Sequence, residues 1–166
     1  MGNFYLIGMP GCGKSTIGHM LSEMAKLNFI DLDNFIVENQ RHTISDIFKD
    51  RGEAYFRKVE KECLLSVSEK NALIVSTGGG IIKDGENIAV MKKTGKIIFI
   101  DTSCEDILKN SSLKNRPLLS GNKNKIYGLY NERYEKYKNS ADYIYKNEKT
   151  ALDAAKEISK YILSQK

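Results

Sequence analysis

The stretch Gly8-Met9-Pro10-Gly11-Cys12-Gly13-Lys14-Ser15 constrains this chain more than any other part of it. It matches G-x-x-x-x-G-K-[ST] and lies between an apolar run, Phe4-Tyr5-Leu6-Ile7, and a helix-periodic stretch from Ser15 to Ala25. A strand, a glycine-rich turn and a helix in that order form a nest for phosphate. The glycines let successive backbone N–H groups turn inward, and the helix start adds a positive end of about half a charge. Lys14 can then reach the β- and γ-phosphates of a nucleotide, and the Ser15 hydroxyl can join a Mg2+ shell.

Short apolar runs and helical stretches alternate along the rest of the chain. Strands are expected at 28–32, 72–76, 96–100 and, more weakly, 141–145. Helical spacing covers 44–48, 53–68, 88–92, 126–138 and 151–163, with a short helix after Asp101; Phe56, Val59, Cys63 and Val67 show the three- and four-residue steps. Such alternation implies βαβ crossovers and a mainly parallel sheet covered on both faces. Ligands of such sheets sit beyond the carboxyl ends of the strands. That edge gathers the phosphate loop, Asp31 and Asp33 after the second strand, and Gly78-Gly79-Gly80 after the third. With no repeat and no linker, residues 1–166 read as a single domain. The segment 110–125, rich in lysine and asparagine and without apolar periodicity, reads as a mobile stretch.

Composition narrows the partners. The 26 basic and 21 acidic residues give a net charge of +5. The lysines are scattered, with no dense basic run, which argues against nucleic acid and for an anionic substrate. Cys12, Cys63 and Cys104 are widely spaced and odd in number, as in a reduced interior. No signal-like leader occurs at the N-terminus, and no apolar run approaches the ~20 residues that span a bilayer. A cytoplasmic protein with no membrane partner is the expectation. An N-K-x-D guanine motif is missing, since Asn122-Lys123-Asn124-Lys125 lacks the aspartate, so ATP is preferred over GTP. Arginine is confined to Arg41, Arg51, Arg57, Arg116 and Arg133, and proline to Pro10 and Pro117. Arginine offers a planar fork that grips carboxylate or phosphate in a way lysine cannot.

Taken together, the phosphate loop, Asp31-Leu32-Asp33, Gly52-Glu53-Ala54-Tyr55-Phe56-Arg57, Gly78-Gly79-Gly80, Arg116-Pro117-Leu118-Leu119 and Arg133 with Tyr137 resemble the shikimate kinase family. The motifs occur in the family's order, from about residue 5 to 140. The resemblance implies an α/β, three-layer αβα P-loop kinase fold, with a five-stranded parallel sheet in the order 2-3-1-4-5. It also implies substrate-binding helices at about 33–62 and a lid at about 110–125. The implied activity is transfer of the γ-phosphate of ATP to the 3-hydroxyl of shikimate, with Mg2+, by a monomer.

The resemblance also assigns roles. Gly11, Cys12, Gly13, Lys14, Ser15 and Thr16 would hold ATP, and Ser15 and Asp31 would serve the metal. Arg57 and Arg133 would grip the substrate carboxylate, with Gly78, Gly79 and Gly80 close to the ring and Phe48 and Phe56 as walls. Asp33 would bond the ring hydroxyls and could take the proton of the attacking one; helix capping is its competing role, as core packing is for the two phenylalanines. Glu60, at i+3 from Arg57, could orient the guanidinium. Lys14, Asp33 and Arg116 are the catalytic candidates, Arg116 closing with the lid onto the transferring phosphate. Two departures stand out. Lys109 occupies the neighbourhood where the family often stacks an arginine on adenine, and Lys146–Thr150 lacks the proline usual in its adenine loop. Rival readings are a gluconate or nucleoside monophosphate kinase, a non-enzymatic ATP-binding switch, and a nucleic-acid binder.

Overall fold

Strand β1 (Asn3–Ile7) is buried at every residue, so both of its faces are covered and it belongs at the centre of a sheet. The computed structural model describes residues 1–109 and 123–165. Around β1 run β2 (Asn28–Asp31), β3 (Leu73–Ser76), β4 (Gly95–Asp101) and β5 (Tyr143–Lys146), forming a five-stranded sheet in the order β2-β3-β1-β4-β5. Every pairing is parallel. The register brings the strand ends level: Leu6 lies opposite Ser76 on one side and Ile98 on the other, and Asp31 opposite Ser76. All the loops that leave the carboxyl ends therefore open on one edge. The expected strand order and its parallel sense are both present.

The connections are α1 (Lys14–Ala25), α2 (Leu32–Gln40), α3 (Ile44–Ser68), a 3₁₀ turn (Ile81–Lys83), α4 (Gly85–Thr94), α5 (Cys104–Lys109), α6 (Lys123–Ser140) and α7 (Ala151–Ser164). Helices α1 and α7 pack on each other, α3 packs on α4, and α6 lies against β4 and the 3₁₀ turn. Several starts are capped by side chains. Thr43 accepts from the Asp46 N–H, Asp84 from Glu86 and Thr150 from Asp153, each satisfying an amide that the helix itself leaves unpaired. Helix α3 joins the two helical stretches expected at 44–48 and 53–68. Gly52 breaks its geometry at φ 84°, ψ 171°, a conformation that favours glycine, although a Cβ there would meet no atom within 4 Å.

Among the boundaries that differ from the sequence reading, two bear on the site. Helix α2 emerges from a region that carried no strand or helix of its own within the broad 33–62 span. Only Leu32 and Ile36 of its nine residues are buried, too few to show a period. Its cap is Asp31, whose carboxylate accepts from the Asn34 N–H at 3.1 Å, so capping falls to Asp31 rather than to its rival Asp33. At the other end, α6 begins at Lys123, so the last three residues of the polar stretch 110–125 are helical. They are exposed, and an exposed first turn has no apolar period to read. The rest of that stretch, Arg116 included, lies outside the described residues.

Candidate active site

The turn between β1 and α1 takes its shape from its glycines. Gly11 and Gly13 have φ of 80° and 93°, in the left-handed region where a side chain would be strained. Gly13, the residue before α1, has no side chain with which to cap the first amides of the helix, and no acidic residue stands in the first turn. This is the anion-ready helix start that the motif requires. Lys14 is buried, and its Nζ donates to the Gly8 and Met9 carbonyls at 2.9 Å each, with the Cys12 Sγ at 3.5 Å. The loop is also braced from behind. The Cys12 carbonyl accepts from Asn147 Nδ2 at 3.2 Å and Thr102 Oγ1 at 3.4 Å, and Asn147 also donates to Thr102 Oγ1 at 3.0 Å.

Beside the loop, the Ser15 hydroxyl donates to Asp31 Oδ2 and lies 3.2 Å from the Ser76 hydroxyl. This all-oxygen set suits a hard cation such as Mg2+, which takes one or two carboxylates and completes its shell with phosphate and water. Among the described residues no group of three His, Cys, Asp or Glu side chains could hold a metal alone.

Across the edge, Arg57 stands in a run of charges. Its Nη1 donates to Glu60 Oε1 at 2.8 Å, and its Nε and Nη2 each lie 3.4 Å from Glu53 Oε1. Lys83 Nζ donates to that same Glu53 oxygen at 3.0 Å. The Lys83 bond, above all, holds the Glu53 carboxyl below its usual range. Glu60 is 1% exposed, and its Oε2 has no hydrogen-bond partner among the described residues. Burial pushes its pKa up, against the pull of Arg57, and the Asp33 charge adds to the rise. The Arg57 guanidinium also lies 5.2 Å from the Phe56 ring centroid, and Phe56 packs against Phe48 at 4.7 Å. Phe56 is buried and Phe48 half-buried, so both belong to the core while lining this corner.

The three glycines after β3 fit between these groups. A Cβ on Gly78 would lie 3.0 Å from both Asp33 Oδ1 and Glu60 Oε2, and one on Gly80 would overlap the Arg57 guanidinium. Gly79 faces the phosphate loop: a Cβ there would come within 2.7 Å of the Pro10 ring. The glycine turn is therefore the seam where the phosphate loop meets the charged corner. From α6, the Tyr137 hydroxyl donates to the Gly79 carbonyl, and Arg133, one turn earlier, is buried with an Nε that has no partner among the described residues. A buried guanidinium with an unmet donor is set up for an anion.

Most of the expected site residues thus converge. Gly11, Cys12, Gly13, Lys14, Ser15, Asp31, Asp33, Arg57, Gly78, Gly79, Gly80 and Arg133 share one strand edge, with Phe48 and Phe56 beside them. Thr16 lies exposed at the start of α1. Lys109 ends α5 and is highly exposed, with its Nζ 3.6 Å from Asp106. Sequence reasoning missed Glu53, Lys83, Thr102 and Asn147. An i, i+4 pairing with Arg57 could have found Glu53; nothing local marks the other three.

The family model described as shikimate kinase matches residues 10–165. A shikimate kinase of Clostridium botulinum is 42% identical over 160 residues, covering 96% of each chain. Among solved structures, the shikimate kinase of Acinetobacter baumannii in complex with shikimate superposes with a TM-score of 0.94 at 34% identity, covering 100% of this chain and 95% of the other. That of Aquifex aeolicus gives 0.83 at 37% identity, covering 98% and 97%. With a match of this extent across the loop, the charged corner and the sheet that carries them, the chain belongs to the shikimate kinase family.

Proposed function

We propose that the protein transfers the γ-phosphate of ATP to the 3-hydroxyl of shikimate, yielding shikimate 3-phosphate and ADP, a step of chorismate and aromatic amino acid biosynthesis. The contact of Gly79 with Pro10 carries the reading most directly. It sets a corner built for a small hydroxylated acid against the loop that holds the transferring phosphate. Arg57 and Arg133 bind the carboxylate, and Asp33, next to Gly78, accepts from the ring hydroxyls and turns the attacking one toward the phosphate. Glu60 holds the Arg57 fork in place through Nη1.

The chemistry asks for little more than placement and charge. Phosphoryl transfer is largely dissociative, so orienting the hydroxyl and stabilising charge on the phosphate oxygens dominate. Lys14 exchanges its bonds to Gly8 and Met9 for bonds to the β- and γ-phosphates, while the loop amides hold the rest of the chain of phosphates. Mg2+, when bound with ATP, would be held by Ser15 with Asp31 beside it, and it supplies neutralisation of the phosphate charge. By similarity, Arg116 adds a second cation at the transferring group, and Lys109 with Thr16 contacts the nucleotide. The protein acts as a single domain and as a cytoplasmic monomer, without nucleic acid. The scattered lysines and three unpaired cysteines support that part.

The test is ATP consumption with Mg2+, offering shikimate, gluconate, AMP and CMP in turn. Turnover with shikimate alone, lost in Arg57→Ala and Arg133→Ala, is the expected outcome. Activity with another acceptor and none with shikimate would keep the phosphate loop and overturn the acceptor assignment.

A further inference from the structure

Glu53 presents an unusual difficulty to a site for an acid. Its Oε1 draws on two N–H groups of Arg57, the same guanidinium that must hold the substrate carboxylate. Arg57 already gives Nη1 to Glu60, and Asp33 lies close by. Two carboxyl groups, Glu53 and Glu60, thus already draw on the Arg57 guanidinium where an anion has to bind.

A further cation beside Glu53 is Lys83, from the 3₁₀ turn that follows Gly80. Its Nζ lies 3.0 Å from Glu53 Oε1, nearer than either Arg57 nitrogen at 3.4 Å. Both ends of this pair are partly exposed, at 38% and 51%. As a contribution to stability it is small. Its effect on a neighbouring anion is of another kind, because a charge near the rim of a site acts on the ligand's own charge. We propose that Lys83 is a positioning residue for the substrate acid: it occupies and neutralises Glu53, so that Arg57 can leave its long contacts to Glu53 and turn to the incoming carboxylate. The proposal rests on the reading that Arg57 binds that carboxylate.

The role gives Lys83 a signature that structural support would not. In Lys83→Ala, Glu53 competes with the substrate for Arg57, and the KM for shikimate rises by about threefold to tenfold, while kcat and the KM for ATP stay within about twofold. Lys83→Arg, which keeps the charge, retains a near wild-type KM. Adding Glu53→Gln to Lys83→Ala removes the competitor and returns the KM for shikimate toward that of the wild type. An unchanged KM in Lys83→Ala, or a double variant no better than Lys83→Ala, would overturn the proposal while leaving the kinase reading intact. Failure of the wild type itself to phosphorylate shikimate would overturn the functional reading, and the proposal with it.

Discussion

The Tyr137 hydroxyl donates to the Gly79 carbonyl, across 58 residues of sequence, so that α6 and the glycine turn behave as one piece. Burial pushes the phenol far above its usual pKa, so it stays protonated and a donor at every working pH. Tyr137→Phe keeps the ring stacked on Phe99 and removes only the hydroxyl. The expected loss is about 0.5–1.5 kcal/mol, the net worth of a typical hydrogen bond to a half-buried acceptor. Denaturant unfolding measures it, and a change below about 0.3 kcal/mol would show that the bond does not hold the turn.

Gly80→Ala tests the corner by shape alone. The backbone there, at φ −94°, is open to any residue, so the variant carries no backbone strain. The new Cβ would sit 2.6 Å from Arg57 Cζ and force the guanidinium aside. The KM for shikimate should rise by about tenfold or more, given the cost of displacing a binding group by an ångström. Nucleotide binding, followed by titration of the free protein with ADP, should not change. Equal losses for both ligands would refute the division into two subsites.

Asp31 serves two purposes that substitution can separate. Asparagine caps a helix as well as aspartate, whereas alanine loses about 1 kcal/mol. Asp31→Asn should therefore unfold like the wild type yet require about tenfold or more Mg2+ for half-maximal activity, since its charge beside Ser15 is gone. Asp31→Ala should show both defects. An unaltered Mg2+ requirement in Asp31→Asn would leave the residue with capping alone.

The buried Glu60 predicts a sign for pH dependence. Its pKa is raised in the fold, mainly by burial. The native state then keeps a proton that the unfolded chain has released, so the contribution of this group to stability falls as pH rises from the ordinary carboxylate range to the folded pKa. Glu60→Gln has no such slope. Wild-type stability minus that of Glu60→Gln should decrease as pH rises above the ordinary carboxylate range. A difference that grows with pH would mean that Arg57 outweighs burial.

Arg116→Ala should fold normally and lose about a hundredfold or more in kcat, the usual effect of removing a charge from the transition state. Activity within about threefold of the wild type would remove Arg116 from the mechanism.

The parts legible in the sequence are those whose residue type has one physical use. A short apolar run such as Phe4–Ile7 can be little else than a doubly covered strand, and Gly11, Gly13 and Gly80 stand where a Cβ would be strained or would collide. Sparing use of arginine in a lysine-rich chain drew notice to five positions, and the family resemblance singled out Arg57 and Arg133 among them. What stayed hidden depends on pairing across the fold. Lys83 is one lysine among many until the 3₁₀ turn sets it against Glu53, 30 residues earlier. Capping of α2, a role the sequence offered to Asp33, falls to Asp31 once the backbone brings the Asn34 N–H to its carboxylate. Asn147 is an ordinary loop residue until the sheet closes.

That last residue has a consequence for the order in which the protein comes into being. The phosphate loop is translated well before one of the donors that braces its Cys12 carbonyl, which lies 135 residues downstream, beyond β5. Thr102, the other, arrives with β4. A nascent chain emerging from the ribosome therefore carries the loop's letters long before it carries its support. Contacts of such long range also form late in folding, because the entropy of closing the intervening chain must be met first. The capacity to hold ATP should thus appear only once Asn147 has docked against the loop.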